Sequence, residues 1–390
     1  MIQSILVYTG TALSMYYITK NTFLEERVLI QTQNKKLPFW SSGIIIPILI
    51  FAFISGIRYR VGVDYPTYHQ YYIQLEEYGK TFGHDFEIGF SFLSELFANL
   101  NLHFSFYFGF WAALQIGFVF YAFRNEKYLL PYICILIILG SYYLSWMNGI
   151  RQCIVACAFV YSIEFIEKKK LWKFLLFVLL AFTFHKSVVI LLPFYFILTI
   201  CKTNWLMNKK RNLLILFICV FLGNTPTWLN YMNSLENILS AIGYEGYSNR
   251  LETLTTKGLQ EMAWGPGRIS IFAMYLLIIW YYPELKALFK GKKLDMYFFL
   301  CFIGVCAYNL FANTSHIFLR PIEYFTIFTL PMSAYLLYFL RKTQKIIPFY
   351  AFLILACSNT YITILKTYLS YNYSTDYYLF KFFWDFNINY

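Results

Sequence analysis

Five short motifs place ionisable side chains beside long apolar runs of this chain. The first motif, within residues 56–72, follows the apolar run 39–57 and introduces two arginines and an aspartate. Arginine binds phosphate or carboxylate through several planar hydrogen bonds, and a carboxylate or a histidine can move a proton. This combination suits an anionic substrate such as a lipid pyrophosphate, because arginines can stabilise the charge that grows as it departs. The ionisable residues of the five motifs are Arg58, Arg60 and Asp64; Glu87; Arg151; His185 and Lys186; and Arg320.

The elements that position these residues are predicted to be membrane helices. Of the 390 residues, 59% are hydrophobic and only 13% are charged, whereas a soluble domain has about 25% charged residues. We therefore predict an all-α polytopic membrane protein with about 12 transmembrane helices of ~20 apolar residues each. Ionisable groups at membrane depth cost about 2.5–3.5 kcal/mol each on insertion scales, which makes those of the five motifs functional candidates. The predicted spans are 2–18, 39–57, 103–123, 128–146, 150–166, 171–184, 187–201, 212–229, 269–283, 294–311, 317–339 and 347–364.

The positions of the basic residues predict how these spans are oriented. Most of the 32 lysines and arginines lie in alternate connections between the spans. By the positive-inside rule, these connections are cytoplasmic and both termini face outward. The formal net charge of +12 is then mainly an orientation signal, and we predict no nucleic-acid partner. The arginines of the five motifs fall on the outer side, where topology does not require them.

Two outer connections are long enough to carry structure of their own. The first, 58–102, contains apolar residues with helical spacing over 87–100, which predicts an amphipathic helix lying at the membrane interface. The second, 230–268, mixes polar and aromatic residues and is predicted to form either a lid or ordered structural cover. It is also predicted to contain an interfacial helix. We treat residues 1–390 as a single integral membrane domain that includes both loops.

The pair His185–Lys186 separates two unusually short apolar segments, 171–184 and 187–201. At 1.5 Å per residue each segment reaches only ~21–23 Å, against a hydrocarbon core of ~30 Å. One long tilted helix is the alternative, but it would place the basic cluster 202–211 outside. We therefore predict a hairpin whose turn lies below the outer surface, in a cavity. Short or broken spans commonly build binding sites in membrane proteins.

The motifs also resemble those of the EpsG family of Wzy-like polysaccharide polymerases, in order and spacing from about residue 40 to 335. The chain departs from the family pattern at Val63, where threonine is common, and at Ile88, where proline is frequent. The matching residues are Arg58-Tyr59-x-Val61-Gly62-x-Asp64-Tyr65; Glu87-x-Gly89-Phe90; Arg151-Gln152; Phe184-His185-Lys186-Ser187 leading to Leu192-Pro193; and Arg320 ahead of Tyr324 and Pro331.

The resemblance implies a metal-independent inverting glycosyltransferase with a GT-C-like helical fold and no cofactor. Such an enzyme acts at the outer face of the bacterial inner membrane, where it transfers a growing glycan from undecaprenyl pyrophosphate to the sugar hydroxyl of another lipid-linked repeat unit. The expected partners are undecaprenyl-pyrophosphate-linked oligosaccharide, as donor and as acceptor, and membrane lipids. A chain-length regulator and a flippase are further expected partners.

Site roles follow from this chemistry as hypotheses. His185 is the preferred base, because neighbouring cations disfavour its protonation. A carboxylate among arginines is a weak base, so Asp64 is better suited to orienting Arg58 or binding a sugar hydroxyl, and Glu87 is a reserve candidate. The predicted pyrophosphate-binding residues are Arg58, Arg60, Arg151, Lys186 and Arg320, and the predicted sugar-binding residues are Tyr65, Gln152 and Tyr324.

Several of these residues also have a simpler structural interpretation. Arg151 can simply start its helix, although an outer-side arginine there works against the topology. Arg58 and Arg60 can extend to the headgroups of resident lipids. Arg320 and Glu323 are three residues apart and can pair on one helix. His185 can cap the hairpin turn. These alternatives stay open at the level of the sequence.

Three other classes of membrane protein remain to be weighed. A flippase for lipid-linked oligosaccharides should show pseudo-symmetric halves and charges on both sides of the midplane, and neither pattern is visible. An O-antigen ligase would use the same arginine chemistry, so the sequence separates it poorly from a polymerase. An acyltransferase would require a His/Asp or His/Asn pair deeper in the membrane, which the sequence does not show.

Overall fold

The computed structural model describes residues 1–34, 36–83, 86–200, 203–228, 230–232, 264–314, 316–369 and 378–385. Most of the predicted loop 230–268 lies outside these ranges. The chain divides into two compact units: the first comprises Met1–Cys201 and Leu330–Tyr390, and the second comprises Lys202–Thr329. The organisation as one integral membrane domain stays a prediction.

The regular elements of the described residues are helices, and the only ladder pairing among them is an isolated β-bridge between Arg58 and Phe382. The prediction of an all-α chain is confirmed. The helices are α1 Ile2–Gln33, α2 Ser42–Gly56, α3 Tyr65–Tyr78, α4 Ile88–Asn99, α5 Phe104–Ala122, α6 Leu130–Leu139, α7 Tyr142–Asn148, α8 Ile150–Glu167, α9 Leu171–Phe182, α10 Leu192–Ile200, α11 Lys209–Gly223, α12 Pro266–Leu288, α13 Lys292–Phe311, α14 His316–Thr326, α15 Thr329–Lys342 and α16 Ile346–Leu369.

Four of these helices, α5, α12, α13 and α16, are long and apolar enough to cross a membrane. Two bent helix pairs raise the number of candidate spans to six when each pair counts as one span. The chain therefore has the helices of a polytopic membrane protein. Twelve spans and a GT-C-like arrangement stay predictions.

The predicted span 128–146 is broken in the structure. Helix α6 ends at Leu139, and α7 begins at Tyr142 with its axis turned by 63°. Ser141 lies between them with a φ of +68°, a left-handed conformation that cannot continue a right-handed helix. The hydropathy pattern does not reveal this change of direction, because both helices are apolar. The predicted span 317–339 is likewise two helices, α14 and α15.

Helix α5 lies at the centre of the first unit, where it contacts α2, α3, α7 and α8. Its crossing with α2 is close because glycines face each other there. A Cβ on Gly56 would overlap the Ser105 carbonyl oxygen, and a Cβ on Gly109 would lie 3.1 Å from the Ala52 carbonyl oxygen. The two backbones therefore touch, which fixes where α2 ends and where the loop after it begins.

An aromatic cluster joins α3 and α4 to α5. Its members are buried, and burial of a large apolar side chain contributes about 1.5–3 kcal/mol. Helix α4 coincides with the segment in which an amphipathic helix was predicted, and it places its other face, with Ile88, Phe92 and Leu96, in exposed positions. The cluster consists of Tyr65, Tyr68, Tyr71, Tyr72, Leu75, Phe90, Ala98, Phe104, Tyr107, Phe108, Trp111, Ile150 and Ile154.

In the second unit, α13 contacts α11, α12 and α14. The Tyr282 hydroxyl donates a hydrogen bond of 2.8 Å to Asp295, which also pairs with Lys286 at 2.5 Å. This arrangement ties the end of α12 to the start of α13 and neutralises a carboxylate that is otherwise buried.

Candidate functional site

Arg151 and Glu87 form an ion pair in the first unit. The Nη1 of Arg151 donates to the Oε2 of Glu87, and the side chains are only 21% and 12% exposed. The ring of Phe86 lies over the guanidinium, 4.1 Å from its centre. Little water reaches the pair, so its electrostatic interaction is stronger than that of a surface salt bridge. The pair joins the start of α4 to the first turn of α8.

The Tyr68 hydroxyl also hydrogen-bonds with Arg151. Burial raises the pKa of Tyr68, by more than its neighbour Arg151 lowers it, and Asp64 raises it further. Tyr68 is therefore a neutral hydrogen-bonding group between Arg151 and Asp64. Nothing in the sequence says that its hydroxyl meets an arginine eighty-three positions later.

The second oxygen of Glu87 reaches the turn before α10. The Lys186 amide donates to the Oε1 of Glu87 over 3.4 Å, and the Gly89 amide donates to the Thr183 carbonyl over 2.8 Å. A Cβ on Gly89 would overlap the Thr183 hydroxyl and lie 3.0 Å from the Thr183 carbonyl oxygen. The start of α4 therefore lies directly against the turn 183–186, and only glycine fits at position 89.

The turn itself separates α9 from a 3-10 helix, Lys186–Leu191, that leads into α10. Helix α9 contacts both the 3-10 helix and α10, which is the contact pattern of a hairpin. Within the turn, the Nδ1 of His185 and the Ser187 hydroxyl lie 2.7 Å apart. His185 is half-buried and the Lys186 side chain is exposed. Three motifs that are far apart in the sequence, at 87, 151 and 185–186, thus meet in one place.

The loop that follows α2 is fastened beside the start of α8. The Val63 amide donates to the Oδ1 of Asn148 over 2.5 Å. Gly62 has a φ of +104°, and a Cβ there would lie 2.8 Å from the same oxygen. Asp64 then begins α3 in a half-buried position. Asn148 was not foreseen as a site residue, although its place just before Gly149 and Arg151 marks the start of a helix.

Arg58 is fully buried, with 0% of its surface exposed. Its Nε donates to the Val61 carbonyl over 3.3 Å, and its Nη1 donates to the Ser55 carbonyl in the last turn of α2. The ring centres of Phe108 and Tyr65 lie 4.6 Å and 5.4 Å from the guanidinium. Burial lowers the pKa of Arg58, while the negative end of α2 favours its charge. In this conformation Arg58 supports the loop, and its predicted role in binding a pyrophosphate stays a prediction.

The C-terminal segment 378–385 covers the same loop. The Tyr59 amide donates to the Lys381 carbonyl over 2.9 Å, and the Phe383 amide donates to the Ile57 carbonyl over 3.1 Å. The Phe380 amide donates to the Ser4 hydroxyl over 2.9 Å. The sequence offered no role for this tail, because pairing over more than three hundred residues leaves no local pattern.

The remaining predicted cations differ in exposure. Arg60 is exposed and has a φ of +53°, with the Tyr59 ring 5.6 Å from its guanidinium. Arg60, Lys186 and part of Arg151 are thus the cations of the first unit's motifs that solvent reaches. Arg320 is exposed on α14 of the second unit, and its convergence with the other groups stays a prediction.

The three predicted sugar-binding residues are all buried: Tyr65 is 1%, Gln152 is 5% and Tyr324 is 0% exposed. The ring of Tyr65 stacks on Phe108 with centroids 4.8 Å apart. Contact with a sugar would require these side chains to be uncovered. Their role in sugar binding stays a prediction, and so do the catalytic roles of His185, Asp64 and Glu87.

The described residues of the site place cations close to a histidine, and their role in binding a pyrophosphate stays a prediction. Two half-buried or exposed cations and a histidine lie at the start of α8 and in the turn 183–186. No three His, Cys, Asp or Glu side chains among the described residues lie close enough together to hold a metal ion.

Comparison with known protein families shows which family the chain belongs to. The model of the EpsG family matches residues 43–386, which is nearly the whole chain and includes every residue of the site. The chain belongs to the EpsG family. Comparison with curated proteins and with solved structures found no match. Membership of the EpsG family points to a glycosyltransferase-like membrane polymerase of exopolysaccharide or O-antigen.

Proposed function

We propose that this EpsG protein joins lipid-linked repeat units by transferring a growing glycan from undecaprenyl pyrophosphate to a sugar hydroxyl of the next unit. The observation that carries the proposal is the pair of Arg151 and Glu87: Phe86 covers the Arg151 guanidinium, and Glu87 also accepts a hydrogen bond from the Lys186 amide of the turn. A half-buried arginine close to a turn that carries a histidine and a second cation suits the departure of a pyrophosphate from a sugar.

The reaction requires one bond to form and one to break. The acceptor hydroxyl oxygen bonds to the anomeric carbon of the donor glycan, while the bond from that carbon to the pyrophosphate oxygen breaks. Arg151 and Lys186 stabilise the negative charge that collects on the leaving pyrophosphate, and a base removes the acceptor's proton. Attack from the face opposite to the pyrophosphate inverts the anomeric centre, and no metal ion is required when cations of the chain balance the charge.

His185 is the base in this proposal. When the Ser187 hydroxyl accepts a hydrogen bond from Nδ1–H of His185, the other ring nitrogen, Nε2, carries the basic lone pair. The 2.7 Å contact between Ser187 and Nδ1 supports such a fixed tautomer. Both carboxylate oxygens of Glu87 accept hydrogen bonds from the chain, so Glu87 is less suited to receive a proton from a substrate.

The roles of the first motif are divided in this proposal. Arg58 positions the loop through its contacts with backbone carbonyls and does not bind the phosphate. Arg60, which is exposed two residues later, is free to approach an anionic group from the surface. Arg320 is assigned to the same pyrophosphate as a further cation. The enzyme acts at the outer face of the inner membrane, with both termini on that side.

Complementation of a polymer-deficient strain tests the proposal. Wild type, Arg151→Ala and His185→Ala are expressed at equal membrane levels, with Arg27→Ala, an exposed arginine of α1, as the matched control. We expect long glycan ladders from wild type and the control, and single lipid-linked repeats at the outer face from the two site variants. Full ladders from both variants would overturn the site. Failure of the wild type to restore polymer would favour a ligase. Loss of any exported repeat in the variants would favour a flippase.

A further inference from the structure

The Glu87 carboxylate connects two elements of the site, helix α8 and the turn after α9. Glu87 receives the Arg151 guanidinium on Oε2 and the Lys186 backbone amide on Oε1. The first partner belongs to α8 and the second to the turn after α9, whereas Glu87 itself precedes α4. One side chain at the start of α4 therefore contacts both α8 and the turn.

From this geometry we infer that Glu87 is a positioning residue: it sets the distance between the arginine that binds the leaving group and the turn that carries the base. The inference rests on the proposed glycosyl transfer and assigns a role within it. It does not make Glu87 a group that touches the substrate.

The packing around Glu87 fits a fixed alignment rather than a mobile acid. The side chain is 12% exposed, and the residue two positions later, Gly89, has no space for a Cβ against Thr183. The amide of Gly89 bonds to the Thr183 carbonyl, so the start of α4 contacts the turn both through backbone and through Glu87. A rotation of Glu87 away from Arg151 would leave a cation unpaired beneath the ring of Phe86, which is costly in a partly dry site.

The chemistry explains why alignment would matter for rate. The base acts on the acceptor hydroxyl and the cation acts on the leaving pyrophosphate, on opposite sides of the anomeric carbon, so the gap between them must match the length of the breaking and forming bonds. A displacement of about 1 Å can lower the rate about 100-fold without weakening substrate binding to the same extent. A residue that holds this gap should affect kcat far more than KM.

Glutamine at position 87 separates the two contacts of Glu87. In Glu87→Gln the amide oxygen still accepts from the Lys186 amide, whereas the ion pair with Arg151 is lost. Glu87→Ala loses both contacts. Glu95→Gln is the matched control, because Glu95 is an exposed carboxylate of the same helix.

The first measurement is independent of activity. Hydrogen exchange of the full chain in detergent should show about tenfold faster exchange of the Lys186 amide in Glu87→Ala, and wild-type exchange in Glu87→Gln and Glu95→Gln. The losses of thermal stability in Glu87→Ala and Arg151→Ala should not add. The double variant should be no less stable than the less stable of the two single variants. Unchanged exchange in Glu87→Ala, or additive losses, would overturn the inference.

The second measurement uses lipid-linked repeats extracted from a polymerase-deficient strain. On these repeats, we expect Glu87→Gln to have a kcat about 10- to 100-fold lower than that of the wild-type enzyme and a KM within about threefold of it. Glu95→Gln should match the wild-type enzyme. A carboxylate with a purely structural role would leave kcat intact in Glu87→Gln, since that variant keeps the turn and the fold; this result would overturn the inference. If wild type makes no polymer from the repeats, the proposed function fails instead, while the exchange and unfolding results still decide the alignment.

Discussion

The Tyr59 amide donates a 2.9 Å hydrogen bond to the carbonyl of Lys381, which fastens the C-terminal segment beside the buried Arg58. The loop that carries the first motif is thus held from two sides, by the tail and by Asn148 next to α8. The stability of this loop should therefore depend on residues that are distant from it in the sequence.

The tail is tested through Phe380, which is 3% exposed and packs edge-on against Tyr8 with centroids 5.8 Å apart. Phe380→Ala should lower the free energy of unfolding by about 3–5 kcal/mol, because it empties a packed site. Trp384→Ala is the matched control, since Trp384 is 53% exposed and should cost much less. Thermal unfolding in detergent measures both, and equal losses would contradict the role of the tail.

Arg58 should be required for stability rather than only for activity. Arg58→Lys removes the forked pair of contacts to the Val61 and Ser55 carbonyls, and the loss of even one hydrogen bond to a charged group costs about 1.5–3 kcal/mol. The control is Arg60→Gln, an exposed position whose stability should change by no more than about 0.5 kcal/mol. Membrane levels and unfolding temperature are the readouts. A well-folded Arg58→Lys protein that has lost polymer synthesis would instead indicate direct contact of Arg58 with the substrate.

Gly89 should tolerate no side chain. A Cβ there would overlap Thr183, whose carbonyl oxygen would be 3.0 Å away, so Gly89→Ala should destabilise the chain by about 1–3 kcal/mol and displace the turn. Gly117→Ala on α5 is the control, because its Cβ would meet nothing within 4 Å and alanine favours a helix. Unfolding temperatures compare the two variants, and Gly89→Ala combined with Thr183→Ala should recover part of the loss.

His69 should make the first unit sensitive to acid. Burial, together with the nearby His103 and Arg60, lowers the pKa of His69 to about 4, compared with about 6.5 in an unfolded chain. A depressed histidine pKa contributes stability that is fully present above about pH 6.5 and is lost as the pH falls toward 4. The test compares wild type with His69→Phe. Unfolding temperatures between pH 7 and 4 should fall less steeply for the variant, and parallel curves would contradict the assignment.

Ser187 should fix the tautomer of His185. In Ser187→Ala the partner of Nδ1, 2.7 Å away, is absent, so His185 divides between two tautomers and the rate should fall about tenfold in this proposal. Ser187→Thr retains the hydroxyl and should retain most of the rate. The measurement is the rate of glycan transfer as a function of pH, because the shape of this pH profile reports the protonation of the base. A lower amount of protein would not alter that shape. Equal rates for the two variants would exclude the contact from catalysis.

Several features of this structure could be predicted from the sequence because they have local patterns. Apolar runs predicted helices, the helical spacing over 87–100 predicted α4, and the short segments around His185 predicted a hairpin turn between α9 and α10. These features depend on residues within one or two helical turns of each other, so a linear sequence pattern records them.

Other features depend on contacts that no linear pattern records. The burial of Arg58 follows from where the carbonyls of Ser55 and Val61 point, and its positive charge suggested the surface instead. The break between α6 and α7 depends on one left-handed residue, Ser141, within a continuous apolar stretch. The pairing of Glu87 with Arg151 depends on the packing of α4 against α8, which only the folded chain defines.

The glycine contact between α2 and α5 has a consequence for how a lipid substrate could gain access. Helices that touch backbone to backbone at Gly56 and Gly109 have no side chains between them to rearrange, so they can neither slide nor separate without breaking that seam. Under the proposed function, a lipid-linked substrate would therefore have to enter the first unit elsewhere than between α2 and α5.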